Sequence, residues 1–187
     1  MIPLYIILAV LVVLIAWIVV LYNGLIKLRN RTKEGWSDID VQLKRRHDLI
    51  PNLIESVKGY MKHERELLEK VTQYRSQAMD AQEKGDTKKL AETENMLGSA
   101  LGKLQIAVEA YPELKANENV SQLMDELSDT ENKIQASRRF YNGQVRDFNT
   151  KIETFPNNLV AGFLKFTKFE FFEANKEERK NVKVKLS

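Results

Sequence analysis

The sequence contains no cysteine, which excludes disulfides, thiolate metal sites and thiol nucleophiles and removes the usual clue to redox compartment. Only 8 glycines and 4 prolines punctuate 187 residues, too few for the turns of a β-rich fold. Two histidines leave little material for proton transfer or for a histidine-ligated metal. A dominant charge sign is missing as well: 29 Lys and Arg face 26 Asp and Glu, for a net charge of +3. A nucleic-acid binder would carry a larger basic excess, segregated onto one face. What remains is rich in Leu, Lys, Glu, Ala and Gln, the composition of long helices.

The first 26 residues hold no charged side chain, and the run from Leu4 to Leu21 is almost wholly apolar. About 20 such residues at ~1.5 Å rise span a ~30 Å hydrocarbon core. Tyr5 and Tyr22 stand near its two ends, where amphipathic rings favour the interface. A cleaved signal peptide fits poorly, because no basic region precedes the run and Val19-Val20-Leu21 offers no small-residue cleavage site. Residues 1–26 therefore read as a retained single-pass anchor. Lys27, Arg29, Arg31 and Lys33 follow the span directly, whereas the other side carries only the α-amino group. The positive-inside rule places the remaining domain in the cytoplasm, on the inner membrane, and the same four side chains suit anionic headgroups.

Beyond the anchor, Val120, Leu127, Ile134, Tyr141, Phe148 and Phe155 recur every seven residues, the seam of a helix in a bundle. Asn117 or Asn119 could cap its start and Pro156 ends it. Leu53, Val57, Tyr60, Leu67, Val71, Tyr74 and Ala78 form a second stripe, interrupted by Glu64 and closed at Lys84-Gly85. After Asp86 or Thr87 as cap, Leu90, Leu97, Leu101, Leu104 and Val108 form a third, ending at Pro112. Gly98 and Gly102 beside it would let a neighbouring helix approach closely. Pro51 either starts a new helix after a turn capped by Asp48 or kinks one continuous helix. In-phase positions 36, 43, 50 and 57 favour continuity, whereas a turn gives a closed bundle. The second is adopted: an all-α protein with an N-terminal transmembrane helix and an antiparallel up-and-down four-helix bundle. Its helices are expected at about 27–48, 51–84, 87–110 and 118–155, with the fourth ending beside the membrane. An irregular aromatic tail over 156–172, with Phe155 just before it, would supply Phe155, Phe163, Phe166, Phe169, Phe171 and Phe172 for contact with the bundle, the membrane or another copy. Residues 173–187 read as a charged, flexible C-terminus.

Searching for chemistry yields little. His63-Glu64 opens like a zincin helix, but position 67 is Leu where the second histidine belongs. Gly98-Ser99-Ala100-Leu101-Gly102 has the wrong spacing for a nucleophile elbow. Glu64, Glu66 and Glu69 beside His63 lack a second Glu-x-x-His, since Lys44 precedes His47 by three. No metal, cofactor or catalytic residue is expected. The polar residues around Pro51 are worth keeping: Arg45, Arg46, His47, Asp48 and Asn52 form a candidate interaction patch with it. Arg46 sits on its helix's apolar stripe, where an unpaired charge is costly, so it needs an acid: Glu64, Glu131 or Asp38.

Several strings together resemble the LemA family of bacterial membrane proteins. They include Leu28-Arg29-Asn30-Arg31, the run Trp36-Ser37-Asp38-Ile39-Asp40-Val41-Gln42-Leu43-Lys44-Arg45-Arg46, and Asp48-Leu49-Ile50-Pro51-Asn52-Leu53. Glu109-Ala110-Tyr111-Pro112, Arg138-Arg139, Tyr141-Asn142 and Phe155-Pro156-Asn157-Asn158-Leu159-Val160-Ala161-Gly162 continue it, from about Tyr22 to Phe172. The resemblance implies a helical bundle on an N-terminal anchor and no agreed activity. Some members resemble lipoproteins, with an extracytoplasmic domain, but this chain lacks their cysteine. The family's association with membrane metalloproteases and other small membrane proteins suggests protein partners. One relative helps to build a magnetosome membrane. The expected function is a non-catalytic membrane-anchored adaptor or scaffold; the alternative is a self-assembling, membrane-organising protein, and an enzyme ranks third. Homo-oligomers fit either of the first two.

Overall fold

The computed structural model describes residues 2–172, and the expected flexible C-terminus at 173–187 lies outside the described residues. Among the described residues every regular element is a helix: α1 (Ile2–Val57), α2 (Arg65–Glu83), α3 (Thr87–Val108), α4 (Pro112–Lys115), α5 (Glu118–Glu153) and α6 (Asn157–Phe163). Side-chain caps explain two starts. Asp86 accepts from the Lys89 amide at 2.9 Å, and Asn117 accepts from the Asn119 and Val120 amides at 3.0 and 3.2 Å.

Two compact units are distinguished, one from residues up to 38 with 137–171, the other from 39–136 with 172. In the first, α1 begins with a stretch whose side chains from Pro3 to Val20 are all exposed. Its mean hydropathy reaches 3.3, long and apolar enough to cross a membrane. Farther along, Leu25 is buried against Phe148, Ile152 and Ala161. Trp36 meets Tyr141 edge-on at 5.4 Å. These pairings run in opposite order along α1 and α5, so the last part of α5 heads toward the apolar stretch. Gly35 permits the approach: a Cβ there would lie 3.2 Å from the Tyr141 Cα.

The second unit encloses a core of Ile50, Leu53, Val57, Met61, Leu68, Val71, Leu97, Leu104, Leu114, Val120 and Leu127. Gln82 reaches Asp40 at 2.5 Å and Arg75 reaches His47, so α2 returns along α1.

The helix does not break at Pro51. It breaks over residues 58–64, where Met61 turns into the core at 1% exposure. Proline removes the amide that would satisfy the carbonyl four residues earlier, here that of His47. Arg75 replaces it: its Nε donates to the His47 carbonyl oxygen at 2.7 Å. A side chain from α2 thus supplies the bond that the backbone cannot. Replacing Arg75 with leucine should cost about 1–3 kcal/mol by orphaning that carbonyl. Adding Pro51→Ala restores the amide and should recover most of the loss in a double-mutant cycle of urea unfolding. If the two changes simply add, the capping role is wrong.

Two further boundaries differ from the sequence reading. Pro112 begins the short helix α4, at whose first turn its missing amide is harmless. Within the aromatic tail, Asn157–Phe163 is helical.

Candidate functional site

The polar centre of the second unit grows from one position on α1. Ile39, Leu43, Ile50, Leu53 and Val57 are fully buried at helical spacing, and Arg46 occupies the same stripe at 2% exposure. Its two terminal guanidinium nitrogens donate to the carboxylates of Glu94 on α3 and Glu131 on α5. His47, 3% exposed, meets the other Glu94 oxygen through Nε2 at 2.6 Å. One buried carboxylate is thereby shared between an arginine and a histidine. Burial alone would push the Glu94 carboxyl up, but the His47 hydrogen bond and the Arg46 charge outweigh it and hold the group below its ordinary range.

Gly98 borders this cluster. A Cβ there would sit at ordinary contact distance, 3.7 Å from an Arg46 nitrogen and 3.8 Å from a Glu131 oxygen. Gly102, by contrast, has nothing within 4 Å of its Cβ direction. The two glycines therefore do not seat a closely packed helix, as their spacing had suggested. They border an open cleft of about 290 Å³, lined also by Leu101, Met124, Leu127 and Glu131. Glu131 is the member of the cluster that meets solvent, its side chain 36% exposed.

A carboxylate held at low pKa between an arginine and a histidine is a weak base. Arg46, His47 and Glu94 are each no more than 3% exposed.

The expected six-residue patch separates accordingly. Arg46 and His47 enter the core, whereas Arg45, Asp48, Pro51 and Asn52 remain exposed. Arg45 makes only a surface pair with Glu126 at 3.7 Å. Of the acids expected to pair Arg46, Glu131 does so; Glu64 instead accepts from the Tyr111 hydroxyl at 2.5 Å, and Asp38 falls in the first unit. Glu94 was missed by sequence reasoning. Its signal was present, since position 94 fills the gap between Leu90 and Leu97 on the buried stripe of α3.

In the first unit, Lys27, Arg29, Arg31 and Lys33 are all exposed. The aromatic residues divide. Phe166 packs on Tyr22 and Phe148, with ring centroids 6.5 and 6.2 Å apart, and Phe169 packs on Phe148 at 5.1 Å. Asn149 fixes that strand of chain by donating to the Phe169 carbonyl at 2.9 Å and accepting from its amide at 3.0 Å. The Tyr141 hydroxyl donates to the Glu170 carbonyl at 2.9 Å, and burial pushes its pKa up to about 12. Phe155, Phe163 and Phe171 stay exposed, at 74%, 87% and 44%. Phe172, in the second unit, is buried.

Sequence comparison adds what geometry alone leaves open. Protein LemA of Metamycoplasma hominis is 34% identical over 160 residues, covering 86% of this chain and 72% of the relative. Magnetosome protein MamQ 2 of Paramagnetospirillum magneticum and MamQ of Magnetospirillum gryphiswaldense are each 23% identical over 185 residues, covering 87% of this chain and 68% of theirs. The profile of the LemA family matches residues 35–186. The chain belongs to the LemA family.

Proposed function

We propose that this protein is a non-catalytic adaptor or scaffold, held to the cell membrane by the first part of α1, with its helical domain in the cytoplasm. The burial of Arg46, His47 and Glu94 carries this reading. Among the described residues, these buried groups neutralise one another inside the fold, and the exposed helix surfaces are the faces offered to a partner. The cleft beside Gly98 and Gly102, with apolar walls at Leu101 and Met124 and Glu131 at one side, suits a segment of a protein partner. Lys27, Arg29, Arg31 and Lys33 at the end of the apolar stretch support the cytoplasmic side.

A second reading, self-assembly that organises a membrane, draws on the names of the magnetosome relatives. Affinity purification of the full-length protein in mild detergent separates the two. Mass photometry and mass spectrometry are expected to find a small particle with a stoichiometric second protein. A large particle containing only this chain would sink the adaptor reading in favour of self-assembly.

A further inference from the structure

The first unit contains a cavity of about 320 Å³ whose walls include Tyr22, Ile26, Arg29, Lys33, Lys165 and Phe166. Three of its lining side chains are cationic and none is acidic. Among the described residues, no ion pair engages Arg29, Lys33 or Lys165. Arg29 instead lies 6.0 Å from the centre of the Phe166 ring. Lys165 holds a backbone φ of 55°, a left-handed conformation that residues with side chains avoid. That conformation closes α6, with the Phe166 amide bonded to the Ala161 carbonyl at 2.9 Å, and it sets the Lys165 charge beside those of Arg29 and Lys33.

The cavity's place in the fold indicates what fills it. Tyr22 and Ile26 stand within about two turns of Val20, the last residue of the fully exposed apolar stretch. The end of α5 runs toward that stretch, and beyond it Phe155, Leu159 and Phe163 are 74%, 63% and 87% exposed. Apolar side chains this open, continuous with a lipid-facing helix and bordered by cations, match the layer where acyl chains meet headgroups. We propose that this cavity binds the anionic headgroup of a phospholipid, its phosphate between Arg29, Lys33 and Lys165, with Phe155, Leu159 and Phe163 dipping into the adjoining acyl region. The inference rests on the anchored reading of α1 given above. It adds a specific lipid site to what would otherwise be a diffuse basic collar.

Native mass spectrometry of the full-length protein in mild detergent tests it, with phosphatidylglycerol and phosphatidylcholine supplied in equal amounts. Phosphatidylglycerol adducts are expected to dominate. Arg29→Gln, Lys33→Gln and Lys165→Gln should each weaken retention roughly fivefold, the worth of one cation at a charged interface. Lys165→Gly relieves the backbone yet should lose the lipid equally, which separates charge from folding. Lys58→Gln, on an exposed lysine of the other unit, should change nothing. Equal retention of the two lipids, or adducts indifferent to Arg29→Gln and Lys165→Gln, would overturn the proposal. So would inorganic phosphate displacing the lipid at comparable concentration, which marks a site for the free ion. Release of the protein from membranes by alkaline carbonate would instead bring down the anchor itself. A chain that resists carbonate but shows no lipid preference loses only this site.

Discussion

Glu94→Ala is expected to destabilise the protein by about 3–5 kcal/mol, because it strands the Arg46 charge in the core and removes the His47 partner. Arg46 is 2% exposed, and the neighbour it retains, Glu131, shares its carboxylate with water. The converse experiment distinguishes pairing from packing. Arg46→Met, His47→Leu and Glu94→Met together replace the charges with apolar groups of similar size, and most of the loss should return. Acid should act in the same direction as the single change. The folded protein holds the Glu94 carboxyl below its ordinary range, so the unfolded chain binds the extra proton as pH falls. Its stabilisation is complete above the unfolded carboxylate pKa and disappears as pH drops through the folded one. Glu94→Gln should flatten that acid limb in urea titrations at successive pH values. An unchanged limb would assign the acid sensitivity to other carboxylates.

Phe148→Ala is expected to cost about 3–5 kcal/mol in the first unit, the usual range for emptying a phenylalanine site in a packed core. Phe148 is 1% exposed among Leu25, Ile152 and Ala161, and its ring also carries Phe166 and Phe169. Its removal should loosen the tail as well as α5. Fluorescence of Trp36, which packs on Tyr141 in the same unit, can follow the transition in a Trp17→Phe background. A loss below about 1 kcal/mol would mean that the site collapses around the void or that the tail contributes nothing to its closure.

The elements whose signals are local were readable in advance. The seven-residue seam, Asn117 and Pro156 placed α5 within two residues of its Glu118–Glu153 extent, and Asp86 placed the start of α3. Arg46 betrayed itself by occupying an apolar stripe, and that stripe demanded an acid partner. Pro51 shows where local reading fails. The phase of positions 36, 43, 50 and 57 was the correct guide, but the carbonyl that Pro51 leaves without an amide is satisfied by Arg75, 28 residues away. No periodicity reports such a bond. The true break went unread because Val57, Tyr60 and Leu67 keep helical phase across it, although Gly59 lies within. Glu94 was overlooked for the opposite reason: a charge on an apolar stripe was noticed on α1 and not sought on α3. The aromatic tail was legible as a contact segment, but which rings it buries depends on Asn149 gripping the Phe169 backbone.

The reading of the buried cluster as a structural clasp, with function on the surfaces, is tested most directly by the Arg46→Met, His47→Leu, Glu94→Met chain. Full-length protein carrying the three changes should be purified in mild detergent, checked for helicity, and compared with the unaltered chain for the partner it retains. A folded variant that captures the same partner in the same proportion is expected. A variant that folds with native stability yet retains no partner would contradict that reading, by placing the protein's activity in the polar core.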